Sequence, residues 1–170
     1  ALVEEVKPDV VLVATGAKPL VPPIPGVGNQ EVMTAWDVLG GREVGRWVLV
    51  VGGGLTGLET AEFLAEQGKE VVLVEMLKRI GADMGGTVRW HLMNRIKNLN
   101  IKTFVSTQIK EIRPKGVVVV SRGGSEETWD GFDAIVLACG VRPKDELSKQ
   151  LQGKVKEVYV VGDAAKARRG

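Results

Sequence analysis

The spacing Gly52-x-Gly54-x-x-Gly57, with Glu75 eighteen residues beyond the last glycine, is the part of this sequence best able to do chemistry. A strand-like apolar run, "RWVLVVG", leads into it. An amphipathic helix pattern follows, with Leu58, Ala61, Leu64 and Ala65 on one face and Gly68 as its left-handed stop. In that setting each glycine has its own task. Gly52 permits a tight turn, Gly54 lets the backbone approach a pyrophosphate, and Gly57 lets the helix pack closely on the strand. The free amides of the first turn, at Leu55 and Thr56, and the positive end of the helix dipole then face the phosphates. Glu75 ends the next strand, where a carboxylate accepts hydrogen bonds from the adenosine ribose. A 2′-phosphate would meet like charge there, which favours NAD over NADP. Lys78 and Arg79 follow and could neutralise such a phosphate, so NADP stays open, although residues of this type are most often solvated surface.

Other chemistry is sparse. The single histidine, His91, sits between Trp90 and Leu92 on a helical pattern, a structural place rather than an acid–base one. The single cysteine, Cys139, ends an apolar run and reads as a small packed thiol. Alone it excludes an internal disulfide and a four-cysteine metal site. No serine, histidine and acid form a nucleophile pattern, so neither a catalytic residue nor a metal ligand is expected. The four tryptophans, Trp36, Trp47, Trp90 and Trp129, have no regular spacing and are assigned to core or interface packing.

Composition is that of a globular protein, 44% hydrophobic and 26% charged over 170 residues. With 23 basic and 21 acidic residues the net charge is +2, which gives no warrant for a nucleic-acid partner or a membrane surface. The apolar runs are too short to span a bilayer, and no signal-peptide pattern opens the chain. A soluble protein of a reducing compartment, the cytoplasm, is expected.

The elements that must hold the glycine loop alternate. "DVVLVAT" (9–15) is a continuous apolar run, as for a strand buried on both faces. "KPLVPPIPGVGNQ" is an extended crossing segment. After the glycine helix come a strand at "EVVLVE" and a helix over Thr87–Leu99. That helix has Val88, Leu92, Ile96 and Leu99 at helical spacing and Thr87 as its N-cap. "IKTFV" closes a β-α-β-α-β unit. "QIKEI", "GVVVVSR" and "ETWDGF", separated by "RPKG" and "GGSE", form an antiparallel β-meander, and "DAIVLACG" returns to a buried strand. The fold class is α/β: a Rossmann-like parallel sheet with helices on both faces, the meander, and a small remnant of a second dinucleotide-binding domain.

An internal repeat supports that remnant. "DVVLVATGAKP" (9–19) and "DAIVLACGVRP" (133–143) align without a gap, and both are strand-to-crossing junctions. Both chain ends read as cut, with no initiator methionine and a stop just after a strand. Strands at 9–14 and 157–161 should therefore pair away from the main sheet with an apolar face exposed.

"VVGGGLTGLETAEFLAEQGKEVVLVEM", flanked by "VLVATGAKP", "IVLACGVRP" and "VYVVGDAA", resembles the pyridine nucleotide–disulfide oxidoreductase superfamily. "VMTAWDVL" and "GDAAKARRG" resemble its 2-enoate reductase and 2,4-dienoyl-CoA reductase group of NADH:flavin oxidoreductases. The resemblance covers nearly the whole chain. It implies an NAD(P)H-binding domain at 28–143 inserted between two pieces of an FAD domain, at 1–27 and 144–170. It implies that Glu59 reaches the nicotinamide end, that Gly16 and Gly140 lie at crossings beside the cofactors, and that Gly162 and Asp163 belong to the flavin site. The expected cofactor-binding set is completed by Met76 and Arg79, which follow Glu75. FMN and an iron–sulfur cluster are implied upstream, outside this chain.

The functional expectation is a domain that positions NADH for hydride transfer to flavin, inactive in isolation. Its partners are NADH, the remainder of the parent flavoprotein and, through exposed faces, a second copy of itself. The rival is an ADP- or NAD-binding module for electron transfer or redox sensing without its own chemistry. A cysteine pair for disulfide redox work is absent.

Overall fold

A computed structural model describes residues 2–167. In chain order its first half runs α1 (Leu2–Val6), β1 (Val10–Val13), β2 (Ala17–Pro19), β3 (Val32–Thr34), α2 (Ala35–Leu39), β4 (Trp47–Val51), α3 (Leu55–Glu66), β5 (Glu70–Val74) and α4 (Gly86–Asn98). Its second half runs β6 (Lys102–Phe104), β7 (Thr107–Arg113), β8 (Gly116–Ser121), β9 (Glu126–Asp130), β10 (Ala134–Leu137), β11 (Val141–Pro143), α5 (Glu146–Leu151), β12 (Glu157–Val160) and a 3-10 turn at Gly162–Ala164. The chain forms two compact units, one of Ala1–Leu20 with Val141–Gly170 and one of Val21–Gly140.

The larger unit is built on a parallel five-stranded sheet of order β3-β10-β4-β5-β6. Alternation along the central strands divides its core in two. Val48 and Val50 of β4, Val71 and Leu73 of β5, and Ala134 and Val136 of β10 face helices, where they pack with Val38 of α2, Leu58, Ala61 and Leu64 of α3, and Ile96 of α4. Leu49, Val51, Val74, Ile135 and Leu137 face the other way. They pack on Ile109, Ile112, Val117 and Val119 of the meander and on Phe132. The expected helices on both faces are thus corrected: helices cover one face and the β7-β8-β9 meander covers the other. The meander can do this because a bulge between Ile109 and Glu111 puts Ile109 and Ile112, three apart, on the same side.

Helix α3 runs as the spacing indicates, with Leu58, Ala61 and Leu64 fully buried and Gly68 at φ +78° just past its end. Each leucine buried there contributes about 1.5–3 kcal/mol. Helix α4 begins earlier than the sequence suggests. Its N-cap is Gly85, not Thr87, and Val88 is exposed while Leu92, Ile96 and Leu99 pack inward. Across the two helices Arg95 pairs with Glu62 and Glu66 of α3. Strand β3 and helix α2 had no expectation. Thr34 closes a capping box there, its Oγ1 accepting from Asp37 N–H at 3.2 Å while Asp37 Oδ2 accepts from Thr34 N–H at 2.7 Å.

In the smaller unit β1 pairs in parallel with β12, as expected for 9–14 and 157–161, and β2 pairs antiparallel with β11. Burial of β1 on both faces is corrected. Val13 is 1% exposed, but Val10 and Leu12 on the opposite face are 46% and 66% exposed.

Candidate functional site

The glycine loop sits at the carboxyl end of β4, and its three spaced glycines meet different surroundings. Gly52 has φ +113°, and a Cβ on it would strike the Ala138 carbonyl. On Gly57 a Cβ would overlap the Gly52 carbonyl oxygen, so the first turn of α3 lies directly on the strand it leaves. Gly54 is the N-cap of α3 and turns its open side outward from that packing, toward the loop after β5. The first intrahelical bond runs from Leu58 N–H to Gly54 O at 3.0 Å, so the amides of Leu55, Thr56 and Gly57 precede the ladder.

Glu75 follows β5, the neighbour of β4, and its carboxylate is buried against the glycine loop. Oε2 accepts from Gly53 N–H at 2.6 Å and Oε1 from Leu77 N–H at 2.7 Å. Two charge-assisted bonds fix the carboxylate's orientation, and each oxygen keeps a further lone pair. Backbone bonds from Glu75 N–H to Phe104 O (2.8 Å) and from Thr107 N–H to Glu75 O (3.0 Å) hold its main chain between β6 and β7. Beyond it the chain turns back. Ile80 is buried, and Gly81 N–H donates to Gly53 O at 2.7 Å.

The structure brings Gly52, Gly54, Leu55, Thr56, Gly57 and Glu75 into one corner. Met76 and Arg79 are exposed on the loop leaving it, with Lys78 beside Arg79. Glu59 lies exposed early in α3. Gly140, at φ +97°, ends the larger unit, whereas Gly16 (φ +74°), Gly162 (φ +62°) and Asp163 belong to the smaller one.

Cys139 lies beside this corner, its Sγ 3.5 Å from Val51 O. Burial, and then the charge of Glu75, pushes its thiol up to about 11, with the Ala138 amide opposing, which disfavours the thiolate form. His91 is exposed and stacks on Trp90 at 5.8 Å between ring centroids. Trp36, Trp47 and Trp90 are exposed rather than packed in a core, and Trp129 rests on Phe104 at 4.6 Å. Among the described residues no cluster of side chains suits a metal ion, and no helix is long and apolar enough to cross a membrane.

Two features of this unit were not read from the sequence, the first at the far end of β4 from the glycine loop. Asp133 accepts at Oδ2 from the N–H groups of Arg46 (2.8 Å) and Trp47 (3.0 Å), tying the start of β4 to β10. Those bonds, the Trp47 amide foremost, hold its carboxyl below the ordinary range. The second is Asp83, whose carboxylate faces Gly54. The acid inside the glycine-rich string "GADMGG" was the available signal.

Comparison with known proteins places this geometry among relatives. The family described as pyridine nucleotide-disulphide oxidoreductase matches residues 2–169. A metal reductase of Desulforamulus reducens is 35% identical over 98% of this chain and 29% of its own length. An NADH oxidase of Thermoanaerobacter brockii is 40% identical over 92% of this chain and 25% of its own length. The solved structure of a 2-naphthoyl-CoA reductase superposes with a TM-score of 0.90 at 35% identity, over 98% of this chain and 26% of that one. The chain thus spans about a quarter of the length of these relatives.

Proposed function

The chain belongs to the pyridine nucleotide-disulphide oxidoreductase family, a domain of flavoproteins that use FAD and NAD(P)H, and on that footing we propose that its larger unit binds NAD(H) and positions it for hydride transfer to a flavin. One observation carries the reading: the Glu75 carboxylate is fastened to the glycine loop by Gly53 N–H at 2.6 Å with acceptor capacity to spare. A dinucleotide needs a diphosphate cradle and a ribose acceptor within a few ångströms of each other, and this corner has both kinds of group.

The chain's residues would act as follows. The amides of Leu55, Thr56 and Gly57, with the amino end of α3, hold the diphosphate. Gly52 and Gly57 keep that loop tight, and Gly54 adds no side chain of its own to the approach. Glu75 accepts from the ribose hydroxyls, and Met76 and Arg79 border the adenosine. Arg79 and Lys78 form no ion pair among the described residues, which leaves them able to meet a 2′-phosphate and keeps NADP within reach. Glu59, toward the nicotinamide end, orients the ring. The nicotinamide, when bound, supplies the hydride; the protein aligns it and excludes water.

In the same reading the smaller unit is part of an FAD domain. Gly16, Gly162 and Asp163 lie by the flavin, and Gly140 is at the crossing. The exposed face of Val10, Leu12 and Tyr159 would be covered by the rest of the parent flavoprotein, where the resemblance to the 2-enoate reductase group would put an FMN and an iron–sulfur cluster upstream of this chain. Without that cover the face favours self-association. The names of the relatives, a metal reductase, an NADH oxidase and a 2-naphthoyl-CoA reductase, support a reductase activity for the whole protein.

Calorimetric titration of the chain with NADH and NADPH tests the site. NADH should bind more tightly than NADPH, and Glu75→Ala should weaken NADH about tenfold or more, as loss of a charged hydrogen-bond acceptor does. Unchanged affinity in Glu75→Ala would overturn the reading. Bleaching of a bound flavin by NADH in the parent protein would favour the oxidoreductase over a module that only holds nucleotide.

A further inference from the structure

In a dinucleotide fold the middle glycine of the loop lacks a side chain because its Cβ would point into the space of the diphosphate. That direction can be followed in this chain. A Cβ built on Gly54 would lie 3.2 Å from Oδ2 of Asp83 and 3.8 Å from its Cγ and Oδ1. The group standing where the diphosphate belongs is therefore a carboxylate of the chain itself.

The position of Asp83 is set by local structure. Behind it the loop is anchored by buried Ile80, by Gly81 N–H donating to Gly53 O at 2.7 Å, and by Arg89 Nε donating to Ile80 O at 2.8 Å. Ahead of it Gly85 caps α4, and Gly85 and Gly86 have open space around them. Asp83 is exposed between a fixed root and a glycine pair. The core residue behind it, Ile80, and the Glu75 bonds to Gly53 and Leu77 do not involve its side chain. At the amino end of the twelve-residue α3 a carboxylate is favoured by the helix dipole for the same reason a phosphate is.

We propose that Asp83 is an internal competitor for the diphosphate: it occupies the anion space at Gly54 in the free protein and must be displaced when a dinucleotide binds. This rests on the nucleotide reading of the corner and adds to it a regulating residue. Ligand binding replaces one anion by another, so part of the attraction of the helix end is already satisfied. A bound diphosphate next to a retained carboxylate lies within the screening length of physiological salt and is repelled. The occupant that Asp83 yields to is a phosphate-bearing nucleotide; a neutral nucleoside leaves it in place.

The test is calorimetry on the full chain, comparing the unaltered protein with Asp83→Asn and Asp83→Ala and using NADH, inorganic pyrophosphate and adenosine as probes. Both variants should bind NADH and pyrophosphate roughly three- to tenfold more tightly, with the gain shrinking as salt is raised. Adenosine affinity should not change. In the free protein the amide resonances of Gly54 and Leu55 should move in Asp83→Asn, which reports the contact without any ligand. NADH binding that is unchanged or weakened in both variants, with the unaltered chain still binding, overturns the inference alone. Failure of all three proteins to bind NADH, with those resonances unmoved, overturns the nucleotide reading and this inference together.

Discussion

Residues 9–19 and 133–143 carry one pattern, an acid, four apolar residues, two small or polar ones, a glycine, an apolar residue, a base and a proline, and fold to the same local shape with unequal burial. Each makes a strand, then a turn through a positive-φ glycine, then a short strand, and the two short strands pair with each other, Ala17 opposite Pro143 and Pro19 opposite Val141. Yet β10 is sealed, with Ala134, Ile135, Val136 and Leu137 all at 3% exposure or less, while β1 shows Val10 and Leu12 to solvent. The difference lies in the neighbours. Strand β10 has β3 on one side and β4 on the other, a helical layer on one face and the meander on the other. Strand β1 has β12. An apolar run states what a strand can tolerate; the elements packed around it decide what is buried.

The sharpest way to break that comparison is to make one substitution in both copies. Leu137→Ala should cost about 2–5 kcal/mol, because Leu137 is 3% exposed and its removal leaves a cavity against the meander. Leu12→Ala, at 66% exposure, should cost about 0.5 kcal/mol or less. Urea unfolding can separate the two units, since every tryptophan lies in Val21–Gly140 and the single tyrosine, Tyr159, lies in the other unit. Equal losses would mean that β1 is covered in solution.

Thr15 and Cys139 occupy the same place in the two copies and extend the comparison to reactivity. Thr15 is exposed, its hydroxyl bonded to Lys144 O, whereas burial raises the Cys139 thiol to about 11. At pH 8 Cys139 should react with iodoacetamide roughly a hundredfold more slowly than the thiol that Thr15→Cys introduces into a Cys139→Ser chain. Similar rates would show that the end of β10 opens readily.

Much of this architecture is legible in the sequence for reasons that can be named. The strands of the parallel sheet are long enough to show apolar runs, and the meander is marked by its turns at Pro114–Lys115 and Gly123–Gly124. The glycine spacing brings Glu75 to the loop because β4 and β5 are adjacent and end at the same level, Val51 opposite Val74. Other features needed tertiary information. Strand β3 is three residues long and shows no period, although Thr34 and Asp37 do fit a capping box. The start of α4 was obscured because Gly85 and Gly86, not a hydroxyl residue, open it. Which face of the sheet takes helices depends on where the meander folds back, and the bulge between Ile109 and Glu111, which turns Ile109 and Ile112 to the same side, has no local signal in the sequence. The approach of Asp83 to Gly54 follows from the Gly81–Gly53 bond, a contact between two loops that no local spacing encodes.

The smallest expected effect concerns what shields β10 on its β3 side. Helix α2 leaves β3 through the Thr34–Asp37 box, and its Val38 packs into the helical side of the core. Thr34→Ala removes a hydroxyl that accepts from Asp37 N–H and donates to Asp37 Oδ2 at 2.7 Å, which should cost about 1 kcal/mol at pH 7. The cost should depend on pH in one direction. The Thr34 hydroxyl first, then the Thr34 backbone N–H, hold the Asp37 carboxyl below its ordinary range, against slight burial and with help from Arg42. A carboxylate with a lowered folded value contributes stability that is present above about pH 4 and is lost as the pH falls through the lowered value. The gap in urea midpoint between the unaltered chain and Thr34→Ala should therefore be widest near neutrality and narrow toward pH 3. A gap that stays constant across that range would assign the cap to Thr34 alone and leave the aspartate without a share in holding α2 beside the sealed strand.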